Sequence, residues 1–249
     1  MGKCSPTRAE FDRAYNDHVI GSNFLEVPEY YEIDRERYWR SLQLLCDMGL
    51  DSDMKMIEFG GGQMALLLSK MFGMDCTVAD INESYRKVID AAGLSFVIGN
   101  LTWEPPVPDA DKRYDLVVML EVIEHIPEPP YVTFRRLSSL LNPGGRVFLT
   151  TPNLFRLRNI TRMVLGKDYL DRFQLPLPHV GLGHQMEYSM DHMSWQLRHA
   201  GYAVEDIRHD QLGTSGHSTK ARLARRLLAP LYMRPTWREK LVAMARLAE

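Results

Sequence analysis

Glycine and acidic residues follow apolar stretches of this chain at spacings that suit the binding of a nucleoside-containing cofactor. The first apolar stretch contains Glu58 and runs directly into three consecutive glycines, Gly60, Gly61 and Gly62. Glycine lets the backbone turn tightly and lets a ligand approach closely, and the helix start that follows directs free N–H groups into the turn. Asp80 ends the next apolar stretch about 20 residues later, a spacing typical of a carboxylate that hydrogen-bonds a ribose.

This pattern alone is compatible with a dinucleotide, with S-adenosylmethionine, or with a glycine turn that binds nothing. Glu58 favours S-adenosylmethionine. A carboxylate beside the turn would repel a pyrophosphate, whereas it would attract the ammonium and sulfonium groups of S-adenosylmethionine. We therefore expect the sulfonium cofactor at this turn.

The following residues extend the predicted cofactor site along the edge of a sheet. Ligands of open α/β sheets bind at the carboxyl ends of the strands. We expect Ile81 to pack against an adenine ring, and Asn100, with Leu101 beside it, to hydrogen-bond the adenine edge. Glu121, at the end of the fourth strand, completes the predicted cofactor-binding set.

Alternating strands and helices must position these residues. Apolar patterns and turn signals predict strands at 55–59, 75–80, 95–98, 114–120 and 145–151. They predict helices at 63–72, 83–92 and 130–141, followed by a helix to residue 200 and a strand at 203–209. Such alternation is typical of a parallel sheet with helices on both faces.

Three regions are predicted. Residues 1–50 form a helical N-terminal cap, and residues 51–219 form the cofactor-binding domain, with a lid inserted at about 152–188. Residues 220–249 are expected to form a basic amphipathic helical tail. This tail contains eight lysines and arginines but two glutamates, so its net charge is +6 and the remainder of the chain carries −8. The tail could contact a membrane or another anionic partner.

Composition narrows the class of protein. The 249 residues are 45% hydrophobic and carry a net charge of only −2, which is ordinary for a globular protein. No apolar run reaches the 18 residues that a membrane-spanning helix requires, and the N-terminus lacks the apolar core of a secretion signal. The three cysteines lack metal-binding spacing, so we expect a cytoplasmic protein with reduced thiols.

Together these segments resemble the class I S-adenosylmethionine-dependent methyltransferases over about residues 50–210. The matching segments are Glu58-x-Gly60-x-Gly62, Asp80, Gly99–Asn100, Tyr114–Pro127 and Leu141–Gly145. The chain departs from the family pattern at Met64, where a third loop glycine is usual, and at Asn100, where an aspartate is usual. The resemblance implies an α/β, Rossmann-like fold with a mixed seven-stranded sheet, and transfer of a methyl group from S-adenosylmethionine.

A second group of residues could act on the methyl acceptor. If a helix begins after the fourth strand, Glu121, Glu124 and His125 share one face of it, and His184 could join them as a fourth ligand of a divalent cation. The motif is similar to the magnesium or manganese site of small-RNA 3′-terminal 2′-O-methyltransferases. Metal-free relatives also carry Glu-x-x-Glu-His, so a metal-free base and a purely structural role remain alternatives.

The predicted lid contributes two more candidates. His179 and His184 flank a glycine-containing turn close to Glu187 and Tyr188. We expect both histidines to contact the substrate, and we predict His125, His184 and His179 as the catalytic residues. A hydroxyl acceptor would need such a base to take its proton.

The leading functional hypothesis is O-methylation of a small hydroxylated acceptor, such as a sugar, a glycan precursor or a natural product. Metal-dependent 2′-O-methylation of an RNA 3′ end is an alternative, although the acidic body makes nucleic acid an unfavourable partner. N-methylation of a small amine is another. An NAD-dependent short-chain oxidoreductase is disfavoured because no Tyr-x-x-x-Lys occurs, and a cofactor-binding protein without activity is the last alternative.

Overall fold

The computed structural model describes residues 4–25, 28, 30–108, 113–170, 183–212 and 229–248. The strands are β1 (Lys55–Phe59), β2 (Asp75–Asp80), β3 (Ser95–Ile98), β4 (Tyr114–Leu120), β5 (Leu141–Pro152), β6 (Tyr202–Asp210) and β7 (Lys240–Leu247). The α-helices are α1 (Arg8–Ala14), α2 (Tyr31–Asp47), α3 (Gln63–Phe72), α4 (Arg86–Ala91), α5 (Pro130–Leu137), α6 (Leu157–Val164) and α7 (Met190–His199). Within this described part of the chain, no helix is long and apolar enough to cross a membrane.

All seven strands belong to one mixed sheet with the order β3-β2-β1-β4-β5-β7-β6. The first five strands pair in parallel, whereas β7 runs antiparallel to both β5 and β6. The strand order reverses between β1 and β4, and this reversal opens a crevice at the carboxyl ends of these strands. The predicted mixed seven-stranded sheet is confirmed, and the first four strands begin and end at the predicted residues.

Helices cover both faces of the sheet. Met56 and Ile57, neighbours in β1, point to opposite faces, and both are fully buried. Met56 belongs to the core that includes residues of α2 and α3, and Ile57 belongs to the core that includes residues of α5 and α7. Burial on both faces explains why the central strands read as continuous apolar runs.

The N-terminal cap packs on the α3 side of the sheet. Thr7 and Glu10 form a reciprocal capping box at the start of α1, which satisfies N–H groups that would otherwise lack partners. Phe11 and Tyr15 are fully buried and stack with their ring centroids 5.6 Å apart. The Tyr15 hydroxyl donates a hydrogen bond to the backbone carbonyl of Tyr31 at 3.0 Å. The cap aromatics therefore build a core.

The prediction of a helical C-terminal tail is wrong for residues 240–247, which form β7 inside the sheet. Five consecutive residues of this strand, 241–245, are buried. A short apolar run cannot be assigned to a helix or to a doubly buried strand by periodicity alone. The predicted domain boundary at residue 220 therefore places β7 in a different region from the other six strands of its sheet. Residues 213–228 of the predicted tail lie outside the described residues.

Candidate active site

An open cleft of about 740 Å³ lies at the carboxyl ends of the parallel strands. Residues following β1, β2, β3 and β4 line one part of it, and residues from the segment after β5 line the opposite part. Of the predicted cofactor-binding residues, those that line the cleft are Gly60, Asp80, Ile81, Asn100 and Leu101. The others, Glu58, Gly61, Gly62 and Glu121, are not among the residues that line it.

The glycine turn after β1 has a shape that only glycine adopts easily. Gly60 has φ +114° and Gly62 has φ +78°. A Cβ atom on Gly62 would lie 2.8 Å from Cγ2 of Val78, so the turn passes directly over β2. Met64, which replaces the usual third glycine, is fully buried. This turn leaves backbone exposed to the cleft at Gly60 and thus fits an S-adenosylmethionine-type cofactor.

The sequence predicts that Glu58 binds the cofactor, but its side chain does not line the cleft. Its side chain is buried, and its carboxylate accepts a hydrogen bond from the backbone N–H of Ala65 at 2.6 Å. Burial raises the pKa of Glu58 to about 7, although N–H groups of α3 and the positive charge of Arg37 oppose this shift. The carboxylate therefore holds the first turn of α3 in place and supports the glycine turn from behind.

Asp80 and Ile81 lie where the sequence predicts them, at the end of β2. Asp80 lines the cleft, and its Oδ1 accepts a hydrogen bond from the N–H of Asn82 at 2.7 Å. Burial raises the pKa of Asp80, and backbone N–H groups counteract this. Ile81 lines the cleft and is 65% exposed, so an apolar ring packed on it would cover surface that now faces water.

Asn100 lines the cleft, but half of its amide is already used. Its Oδ1 accepts hydrogen bonds from the N–H and the hydroxyl of Thr102, at 2.9 and 2.8 Å. The side-chain nitrogen remains the group that can donate to a ligand. The adjacent Leu101 is buried and contributes an apolar wall.

The helix that would place Glu121, Glu124 and His125 on one face does not form after β4. Glu121 has φ +59°, a left-handed conformation that a helix does not tolerate, and a single 3₁₀ turn follows at Ile123–His125. The Glu121 carboxylate pairs with Lys240 of β7 and accepts a hydrogen bond from the Thr150 hydroxyl at 2.9 Å. Burial would raise the pKa of Glu121, but the charges of Lys240 and Arg37 lower it.

Three of the four predicted metal ligands converge, and Glu121 is not among them. Ligand atoms of Glu124, His125 and His184 all lie within 4.8 Å of one another. The two imidazole rings meet edge to face, with centroids 4.8 Å apart, and both residues line the cleft. Glu124 is fully buried. One carboxylate oxygen and two imidazole nitrogens form a donor set that suits a divalent metal ion.

The environment of Glu124 is unusual for a carboxyl group. Its Oε2 accepts a hydrogen bond from the Thr151 hydroxyl at 3.1 Å, whereas its buried Oε1 has no hydrogen-bond partner among the described residues. Burial and the negative charge of Glu121 raise the pKa of Glu124 to about 8, despite the opposing charge of Lys240. A buried carboxyl with an unsatisfied oxygen beside two imidazoles makes this corner of the cleft a candidate for the chemistry of the site.

Two backbone hydrogen bonds bring His184 to His125. The N–H groups of Gln185 and Met186 donate to the backbone carbonyl of Glu124, at 2.7 and 3.4 Å. They join the segment before α7 to the turn after β4. His179, the third predicted catalytic histidine, lies outside the described residues.

Sequence patterns did not single out the side chains behind His184. Arg156 is 5% exposed and still lines the cleft, and its Nη2 donates a hydrogen bond to Oε1 of Glu187 at 2.5 Å. Asn159 donates to the other oxygen of Glu187 at 2.6 Å. Arginine side chains usually face the solvent, so no local signal identified Arg156 as buried.

A sheet of this order, with a glycine turn after β1 and an acidic residue after β2, defines a protein of the class I methyltransferase type. A family model described as a methyltransferase domain matches residues 31–207. The chain belongs to this family and contains a methyltransferase domain of the S-adenosylmethionine-dependent class.

Curated proteins with similar sequences are named as O-methyltransferases. A ubiquinone biosynthesis O-methyltransferase of Stutzerimonas stutzeri is 30% identical over 158 residues, which are 61% of this chain and 64% of that protein. The protein of the same name from Xanthomonas euvesicatoria is 35% identical over 158 residues, 59% of this chain and 61% of that protein. The chain thus spans less than two thirds of the length of these relatives.

Solved structures agree with the fold. A putative sarcosine dimethylglycine methyltransferase from Galdieria sulphuraria has a TM-score of 0.59 at 16% identity, covering 96% of this chain and 98% of that one. The N-methyltransferase NodS from Bradyrhizobium japonicum, in complex with S-adenosyl-L-homocysteine, has a TM-score of 0.54 at 15% identity, covering 94% and 100%. At these identities the similarity concerns the fold alone.

Proposed function

We propose that this methyltransferase transfers a methyl group to a hydroxyl group of a small organic acceptor. The observation that carries the proposal is the pair of imidazoles, His125 and His184, at the cleft surface. A hydroxyl must lose a proton when it is methylated, whereas a neutral amine can attack before it loses one. Two histidines at this position are therefore more useful to an O-methyltransferase than to an N-methyltransferase.

Different residues of the cleft would bind the cofactor and remove the proton of the acceptor. S-adenosylmethionine supplies an already activated methyl group, so the protein mainly has to align the acceptor and remove its proton. Gly60, Asp80 and Ile81 form the cofactor side. His125 and His184 would take the proton on the acceptor side.

An apolar part of the acceptor side favours a hydroxylated aromatic natural product within the predicted acceptor class. Ile126, Pro127, Tyr169 and Leu170 line this side of the cleft, and they offer contact area to a ring but few hydrogen bonds to a sugar. The curated relatives are named O-methyltransferases of ubiquinone biosynthesis, which supports hydroxyl as the acceptor group.

A metal-assisted version of the same reaction is the second candidate. Glu124, His125 and His184 would hold the divalent ion, and the ion would lower the pKa of a bound hydroxyl group. The RNA-directed alternative is less well supported, because Glu121 is paired with Lys240.

The proposal is tested by measuring transfer of labelled methyl from S-adenosylmethionine to a panel of phenols, sugars, small amines and short RNA, with and without EDTA. We expect label in a phenol, and a loss of about 100-fold or more in kcat for His125→Ala or His184→Ala. His199→Ala, an exposed histidine of α7 outside the cleft, serves as the matched control and should retain activity. EDTA-sensitive turnover, restored by a divalent ion, would select the metal-assisted version. Label confined to amines or RNA would refute the proposal.

A further inference from the structure

A buried cluster of polar side chains lies directly behind His184. Its centre is Glu187, whose side chain has no exposed surface. Arg156 donates to Oε1 of Glu187 at 2.5 Å and Asn159 donates to Oε2 at 2.6 Å. Arg156 also donates through Nε to Oδ1 of Asn159 at 3.2 Å. These bonds tie Glu187 to α6 and to Arg156, the residue that precedes this helix, so the carboxylate cannot rotate freely.

The same carboxylate faces the imidazole of His184. Nδ1 of His184 lies 3.5 Å from Oε1 of Glu187, close enough for a small movement to make a hydrogen bond. The nitrogen that carries a proton in a histidine is determined by the hydrogen bond that the other nitrogen makes. An Nδ1–H directed at Glu187 leaves Nε2 as the acceptor nitrogen.

The charges of the cluster also favour this arrangement. Glu239 lies 3.8 Å from Arg156, and it is buried, as is Glu187. Two buried carboxylates therefore share one guanidinium group. An imidazole N–H of His184 directed at Glu187 adds a hydrogen-bond donor to this buried carboxylate.

We propose that Glu187 is a positioning residue of the methyltransferase, which holds His184 as the Nδ1–H tautomer so that Nε2 serves the acceptor side of the cleft. The inference rests on the proposed function, in which His184 takes the acceptor proton. Arg156 and Asn159 hold the carboxylate in place, and α6 thereby contributes to the site without touching the acceptor proton.

Two variants separate positioning from a merely structural role. Glu187→Gln keeps the shape but removes the charge, and Glu187→Asp keeps the charge for Arg156 but withdraws the oxygen from His184. We expect kcat to fall about 10–100-fold in both, with the KM for S-adenosylmethionine within about twofold of wild type. Glu205→Gln, which alters a carboxylate that pairs with Arg146 and Arg246 away from the cleft, is the matched control and should leave kcat unchanged.

A double-mutant cycle and nuclear magnetic resonance complete the test. In a His184→Ala background, Glu187→Gln should cause no further loss of kcat, because the two residues act as one unit. Nitrogen-15 spectra of the histidine rings should show His184 as the Nδ1–H tautomer in wild type and as a mixture in both Glu187 variants. The same tautomer in all three proteins would overturn the inference, whatever the turnover. Wild-type turnover of His184→Ala would instead refute the role of His184 in the proposed function, without bearing on the tautomer.

Discussion

At the scale of single residues, the cleft depends on a few backbone positions and buried carboxylates that no other residue type could replace without cost. Gly62 directly precedes α3, has a positive φ and lies against Val78. Glu58 fixes the N–H groups of the same helix from behind. The part of the turn that lines the cleft, Gly60, is therefore held in shape by residues that do not line the cleft.

Gly62→Ala should reduce both stability and cofactor binding. The positive φ costs about 1–2 kcal/mol for a residue with a Cβ atom, and the new atom must also displace Val78. Gly73→Ala is the matched control. Gly73 also has a positive φ, +69°, but no atom lies within 4 Å of the position that a Cβ atom would occupy. Thermal unfolding and calorimetric titration with S-adenosylmethionine would measure both effects. Equal loss of affinity in the two variants would contradict this account of the turn.

Glu58 should make stability depend on pH in the absence of cofactor. Its pKa rises from 4.5 to about 7 on folding, so the folded protein binds the proton more tightly than the unfolded chain. The contribution of Glu58 to the free energy of unfolding should accordingly fall as the pH rises from about 4.5 to 7 and change no further above that range. Glu58→Gln should lack this slope. Parallel profiles of wild type and variant in urea unfolding would show that Glu58 does not titrate as inferred.

At the scale of elements, the turn after β4 is held by strands that are distant in the sequence. Glu121 adopts a left-handed conformation and pairs with Lys240, 119 residues away. The pair is largely buried, with side-chain exposures of 12% and 11%. β7 therefore supports the segment that carries Glu124 and His125.

Lys240→Met should destabilise the protein by about 3–5 kcal/mol, because it removes the ammonium group that pairs directly with the buried Glu121 carboxylate. Adding Glu121→Gln should recover much of this loss. Arg246→Met is the control, since Arg246 pairs with Glu205 while 53% exposed, and such pairs contribute at most about 1 kcal/mol. The free energies of unfolding in urea provide the comparison. An effect of Lys240→Met as small as that of Arg246→Met would mean that the pair contributes little.

At the scale of the whole molecule, the C-terminal segment completes the sheet. β7 lies between β5 and β6, so β6 has no other described strand to pair with. Both core clusters contain residues of β7, Val242 and Met244 in one and Leu241, Ala243 and Ala245 in the other. The chain thus folds as one unit that includes its last strand.

Removal of residues 240–249 should abolish cooperative folding. The truncated chain would expose the edge of β5 and the apolar faces that β7 covers, and β6 would be left unpaired. Circular dichroism during urea unfolding would show a broad or absent transition, in contrast to full-length protein. A truncated chain that unfolds cooperatively and binds S-adenosylmethionine would instead agree with the separate tail predicted from the sequence.

The sequence by itself determined the local features of this methyltransferase. Strand limits, the glycine turn and Asp80 follow from apolar runs, backbone freedom and spacing within about 20 residues. These properties are encoded in neighbouring residues, so they are readable before any tertiary contact is known. The family resemblance depended on the same local motifs.

Only the tertiary structure decided the features that depend on distant contacts. β7 is a strand because both of its faces are covered by the core. Glu121 forms an ion pair with Lys240 because the sheet brings the two residues together. His184 meets His125 through hydrogen bonds to the carbonyl of Glu124. Burial and pairing are set by residues far apart in the chain, and periodicity or spacing carries no information about them.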